Sequence, residues 1–73
     1  MERQYFIRAE DKAGRVKLIA RAGGKPWKSA GNARRAGNTF DRKHGAALRS
    51  VTIAVKLVDN AGRVIDTSRI WLD

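Results

Sequence analysis

Four stretches of this chain are rich in apolar and β-branched residues, and in two of them the apolar residues recur at every second position, which is the pattern of β-strands that bury one face. The strongest signal is in Ser50–Val58, where one face carries four apolar side chains: Val51, Ile53, Val55 and Leu57. The other predicted strands are Gln4–Glu10, Arg15–Ala22 and Arg63–Leu72. Within Arg15–Ala22 the alternation predicts an apolar face with Val16, Leu18 and Ala20. The other face is largely basic and carries Lys17, Ile19 and Arg21.

The sequence Asp-x-Ala-Gly-Arg-Val occurs twice, at Asp11–Val16 and at Asp59–Val64. Aspartate accepts backbone hydrogen bonds in a turn, and glycine supplies the left-handed conformation needed to enter the next strand. Both copies therefore predict tight loops, each joining two neighbouring strands into a β-hairpin. The repetition indicates either pseudo-symmetry or, as we favour, two uses of the same good turn chemistry.

The segment between the hairpins has the signals of one helix. Gly23–Pro26 interrupts regular structure, Ser29 can cap a helix and Gly45 can end it, which predicts about 14 helical residues. At ~100° per residue, small and apolar residues gather on one side, whereas polar and basic residues gather opposite. The two sets are Ala30, Ala33, Ala36, Gly37 and Phe40, and Arg34, Arg35, Asn38 and Arg42.

These elements predict an α+β fold in the order ββαββ, with the two hairpins in one antiparallel sheet and the helix packed on it. The 73 residues suit a single small domain, 1–73. The chain has no cysteine, so neither a disulfide nor a thiolate metal site can stabilise it. Without a signal peptide or an apolar run of membrane-spanning length, it is expected in the cytoplasm.

The formal net charge of +9 is confined to residues 15–49. The segments before and after are each neutral, whereas this segment holds ten basic residues against Asp41 alone. We therefore expect residues 15–49 to contact an anionic partner. The residues proposed to bind it are Lys17, Arg21, Lys25, Trp27, Lys28, Arg34, Arg35, Arg42 and Lys43.

Aromatic residues allow two interpretations. Trp27, between Lys25 and Lys28, could stack on a base or anchor an interface, but a core lid over the helix start is favoured. Tyr5, Phe6 and Trp71 lie in predicted strands and are expected to be structural.

The sequence offers no catalytic constellation, and we predict a protein that is not an enzyme and that holds neither a metal nor a cofactor. Catalysis needs a positioned acid, base or nucleophile, yet the chain has one histidine, His44, and one adjacent carboxylate pair, Glu10 and Asp11. His44 is better explained by contact with the end of the helix. Gly23–Lys25 lacks the remaining residues of a phosphate-binding loop.

Two kinds of anionic partner fit the basic segment. A nucleic acid would be held through its phosphates, with a salt dependence that reports the number of contacts. A large protein with an acidic surface would be attracted electrostatically, with Trp27 or Phe40 supplying apolar contacts. A ribosomal type of RNA-packing protein and a membrane-surface helix rank lower, because the chain ends are neutral and the apolar helix face is small.

The short cysteine-free chain, its Ala/Arg/Gly-rich composition, and the pairs Arg34-Arg35 and Arg42-Lys43 between compact hairpins resemble the small early proteins with which bacteriophages redirect host transcription. The chain is similar to phage regulators that bind the host RNA polymerase. The resemblance implies inhibition of promoter-dependent initiation, read-through of terminators and a bacterial cytoplasmic location. It carries no diagnostic motif, so the proposed binding residues depend on charge.

Overall fold

A computed structural model describes residues 1–72 as four strands and one α-helix in the order ββαββ. The strands are β1 (Glu2–Asp11), β2 (Val16–Ile19), β3 (Leu48–Val58) and β4 (Val64–Ile70), and the helix α1 spans Ala30–His44. Two short 3-10 turns flank the helix segment, at Ala22–Gly24 and Gly45–Ala47. The predicted α+β class and element order are therefore confirmed.

Both copies of the repeated motif form the predicted hairpin loops with the same hydrogen bonds. Asp11 Oδ1 accepts from the backbone N–H groups of Ala13 and Arg15, each at 2.9 Å. Asp59 Oδ1 accepts from Ala61 and Arg63 at the same distances. Gly14 and Gly62 have φ of 87° and 83°, a left-handed backbone that glycine adopts without steric cost. The local sequence thus dictates two equivalent loops.

The sheet is antiparallel throughout, in the order β2-β1-β3-β4. Each hairpin contributes its first strand to the centre and its second strand to an edge. β1 and β3 pair from Glu2 opposite Val58 to Asp11 opposite Leu48, with a bulge at Glu10/Asp11. This long central ladder joins the two hairpins, which are far apart in the sequence.

The core lies between α1 and one side of the sheet, hereafter the helix side. Its buried residues are Ile7, Ala33, Ile53 and Val55, and the predicted apolar face of β3 points into it. Ser29 Oγ accepts from the N–H of Asn32 at 3.1 Å, so the helix begins at the predicted cap. The helix ends at Gly45, whose N–H donates to the carbonyl of Asp41.

The predicted faces of the second strand are wrong. β2 covers only Val16–Ile19, and Ile19 pairs with the buried Ile7 and packs against the core. Leu18 pairs with Arg8 on the opposite side of the sheet and is 39% exposed. The strand ends early because Gly23 and Gly24, both with positive φ, turn the chain back so that Lys25 bridges to Arg21.

No helix or strand packs on the side of the sheet opposite α1 within residues 1–72, and we call this side the open face, although Thr52 on it is fully buried. Alternation and register assign it Leu18 of β2, Phe6 and Arg8 of β1, Thr52, Ala54 and Lys56 of β3, and Thr67 and Arg69 of β4. Within the described residues, no helix has the length and apolar character needed to cross a membrane.

Candidate functional site

The basic segment 15–49 contains two kinds of cation. Arg15 pairs with Asp11 (Nε to Oδ2, 3.2 Å), and Arg49 pairs with Glu10 (Nη1 to Oε2, 3.2 Å). Arg49 also donates to the carbonyl of Lys12 at 3.0 Å, so it ties the first hairpin loop to β3. The charge of these two residues is therefore paired within the fold.

The other eight cations of the segment are exposed, and within residues 1–72 none has a carboxylate oxygen within 4.0 Å. Together with Trp27, they are the residues expected from the sequence to bind a partner: Lys17, Arg21, Lys25, Lys28, Arg34, Arg35, Arg42 and Lys43. Because no ion pair neutralises them inside the described chain, their charge is available to an external anion.

The connection from β2 to the helix positions the first part of this set. Trp27 and Tyr5 are joined by two backbone hydrogen bonds. The N–H of Tyr5 donates to the carbonyl of Trp27 at 3.1 Å, and the N–H of Trp27 donates to the carbonyl of Tyr5 at 2.9 Å. Trp27 thus takes the place of β2 beside β1 after β2 has ended. Trp27 is half-buried and packs against the core, as the lid interpretation predicted, while Lys25 and Lys28 on either side are exposed.

The helix positions the second part. Its buried side approaches the sheet through Ala33 and Gly37, so Arg34, Arg35 and Arg42 are exposed on the outer surface. Arg35 Nη2 donates to Asn32 Oδ1 at 3.0 Å, which orients the guanidinium without neutralising it. Basic residues in the last turn also interact favourably with the negative end of the helix dipole.

Two grooves flank an aromatic pair at the end of the helix. The rings of Phe40 and His44 lie 4.8 Å apart at 48° and line both grooves. The larger groove, of about 550 Å³, has Ile19 and Leu48 among its apolar walls and Lys17 at its border. The smaller groove, of about 380 Å³, lies between this pair, Trp27 and Lys43. The arrangement can accept apolar side chains from an acidic partner.

The structure therefore gathers Lys17, Trp27 and Lys43 around the grooves. The other six predicted residues line neither groove: Arg21, Lys25, Lys28, Arg34, Arg35 and Arg42. They lie on the β2–α1 connection and on the outer helix surface, and so form a wider basic border.

Sequence reasoning missed the larger groove. Ile19 was expected on the basic face of its strand, and Leu48 lay outside the predicted strand. His44 was expected to contact only the helix end, yet its ring packs beside Phe40. The i, i+4 spacing of these two rings on a helix was the available signal for their contact.

The first hairpin loop, which borders the larger groove, also contains a perturbed acid. The N–H of Arg15, donated to the carboxylate, lowers the pKa of Asp11, and the N–H of Ala13 acts in the same direction. In residues 1–72, no three histidine, aspartate or glutamate side chains come together as a set of metal ligands.

Comparison of the chain with protein families, curated proteins and solved structures gives no match.

Proposed function

We propose that this protein is a small transcription regulator that binds bacterial RNA polymerase through the basic surface around α1. The observation that carries the proposal is the set of eight exposed cations without a carboxylate partner in residues 1–72. The class of partner comes from the resemblance to phage regulators of host transcription. Inhibition of initiation and read-through of terminators are the activities that this resemblance implies.

Charge and shape contribute differently to such a complex. The exposed cations attract an acidic surface over a distance of about 8–10 Å at physiological salt and raise the association rate. The grooves beside Phe40 and His44 then admit side chains of the partner, and a few anchors seated in such pockets carry most of the binding free energy of a protein interface. An acidic protein surface with apolar anchors therefore fits better than a uniformly charged polymer.

The test is binding to purified bacterial RNA polymerase that has been freed of nucleic acid. The triple variant Arg34→Ala, Arg35→Ala, Arg42→Ala removes three cations of the outer helix surface and is expected to weaken binding at least tenfold. The charge-matched control replaces Arg3, Lys12 and Arg63, which are exposed outside residues 15–49. Equal losses in the two variants, or no binding by the native protein, would contradict the proposal.

Transcription assays extend the test to activity. The native protein is expected to reduce promoter-dependent initiation and to increase read-through of an intrinsic terminator, and the helix variant is expected to lose both effects. The alternative, direct binding of DNA or RNA by residues 15–49, predicts retention on duplex DNA. For about five phosphate contacts, log affinity would then fall with log salt at a slope near −4.5.

A further inference from the structure

The open face of the sheet carries a second basic surface, outside the segment that contains the charge excess. Arg8, Lys56 and Arg69 lie on it, one on each of three adjacent strands. They border a shallow trough of about 440 Å³ that runs from Leu18 of β2 to β4. The trough is deepest at Ala54, whose side chain is small. No element in residues 1–72 covers it.

Each of the two aromatic residues on this side has a cation over its ring. Lys56 Nζ lies 5.0 Å from the centroid of Phe6, and the Arg69 guanidinium carbon lies 5.1 Å from that of Trp71. Trp71 follows the end of β4 and is 61% exposed, contrary to the structural role expected from the sequence. An indole ring in solvent can stack on an unpaired base.

The acidic residues of the open face lie at its ends. Glu2 opens β1, whereas Glu10 is near the other end and pairs with both Arg8 and Arg49, at 3.3 and 3.2 Å. The middle of the face therefore presents Lys56 and Arg69 without a carboxylate partner in the described chain. Positive charge beside an exposed aromatic ring, here Trp71, is the combination that binds unpaired bases and their phosphates.

We propose that the open face binds single-stranded nucleic acid, with a base stacked on Trp71 and phosphates beside Lys56 and Arg69. The Arg69 guanidinium moves from the ring to a phosphate as the base takes its place. Duplex DNA does not fit this surface, because its bases are already stacked and paired. The two strand spacings from Phe6 to Arg69 span about 10 Å, which limits the contact to a few nucleotides.

The test uses fluorescence anisotropy of the full chain with labelled 12-nucleotide oligouridylate and oligodeoxythymidylate. Binding of either probe is expected, and the stronger of the two identifies RNA or DNA as the preferred strand. With two to three phosphates contacted, log affinity should fall with log salt at a slope of about −1.4 to −2.1. Trp71→Ala should weaken binding about 5- to 150-fold, whereas Trp71→Phe should retain most of it.

Lys56→Ala with Arg69→Ala should reduce both the affinity and the salt slope, the slope by about 1.4. The matched control is Arg34→Ala with Arg35→Ala, which removes two exposed cations from the opposite side. It should leave oligonucleotide binding within about twofold of the native protein. Circular dichroism and thermal unfolding check that every variant is folded.

Loss of oligonucleotide binding in the helix control alone would overturn the proposal, as would the absence of binding to both probes. The result is independent of the polymerase proposal, because the helix variants test one side of the molecule and the sheet variants test the other. If both proposals hold, each set of variants impairs only its own ligand.

Discussion

Gly31 and Gly37 lie in the same helix but have opposite structural roles. A Cβ at Gly37 would lie 2.9 Å from Leu72 Cδ2 and 3.0 Å from Ile53 Cδ1, so glycine is what allows the helix to approach the sheet. Gly31 has no neighbour within 4 Å of such an atom. Intrinsic helix propensity alone gives both positions the same cost.

We expect Gly31→Ala to stabilise the protein by about 1 kcal/mol, because alanine favours the helix and meets no atom there. The melting temperature should rise by about 4–8 °C. Gly37→Ala gains the same helix propensity but should lose about 1–3 kcal/mol through overpacking, so we expect a net loss of stability of up to about 2 kcal/mol. Thermal and urea unfolding measure both changes, and a gain in stability at Gly37 would show that the helix and Leu72 can move apart freely.

Thr52 is fully buried in the central strand β3, and its Oγ1 has no hydrogen-bond partner within residues 1–72. Valine has nearly the same shape and lacks the unsatisfied hydroxyl, so Thr52→Val should raise the free energy of unfolding by about 1 kcal/mol. Thr67→Val, at an exposed position of the same sheet, should change it by less than about 0.5 kcal/mol. Destabilisation by Thr52→Val in urea unfolding would indicate a bound partner for the hydroxyl.

Asp11 makes the stability of the first hairpin depend on pH. Its pKa is lowered in the folded protein, first by the N–H of Arg15, so the ionised carboxylate stabilises the fold. This contribution is complete above the ordinary pKa of 3.8 and is lost as the pH falls below that value through the folded pKa. Asparagine at this position does not titrate. In the Asp11→Asn variant the urea concentration at the unfolding midpoint should therefore fall less steeply below about pH 4 than in the native protein. An unchanged acid profile would contradict this assignment.

At the scale of elements, the sequence predicts what is decided locally. Both hairpin loops follow from one aspartate and one glycine each, and the helix follows from the Ser29 cap and the spacing of its small residues. The pairing of β1 with β3 could not be predicted in this way, because it joins residues that are 37 to 56 positions apart in the sequence. The faces of β2 were inverted for a different reason, because alternation within one short strand does not say which face is buried; the pairing of Ile19 with the buried Ile7 puts it in the core.

In the candidate site, too, the sequence predicts the features that are decided locally but not those that depend on the assembled fold. Charge counting located the eight exposed cations, because charged side chains without internal partners remain at the surface. It could not locate the groove at Phe40, which needs β2, α1 and the start of β3 in their folded positions. The open face was missed because Phe6 and Trp71 are distant in the sequence and share a side only in the assembled sheet.

Hydrogen exchange should separate the strands by their place in the sheet. The amides that pair β1 with β3 lie in the centre, so they should exchange slowest, near the rate set by global unfolding. The four residues of the edge strand β2 should exchange faster, because local opening exposes them without disrupting the core. Equal protection of β2 and β3 would indicate that the first hairpin opens only with the whole molecule.

At the scale of the whole molecule, the charge of +9 should govern how fast the protein finds an acidic partner. For the complex with RNA polymerase that we propose, we expect the association rate to fall steeply as the salt concentration rises, while the dissociation rate changes much less. Surface plasmon resonance at several salt concentrations measures both rates. A constant association rate would indicate that the apolar grooves, rather than the cations, dominate the encounter.

The repeated hairpin loop has a practical consequence. Because β1 and β3 run antiparallel, the two loops lie at opposite ends of the sheet, yet Ala13 and Ala61 sit in matching turns. The chain contains no cysteine, so Ala13→Cys or Ala61→Cys creates a single attachment point for a dye. The two dyes would have equivalent surroundings in the free protein. If the partner quenches the fluorescence of one dye more than that of the other, the difference shows which end of the sheet lies nearer the partner.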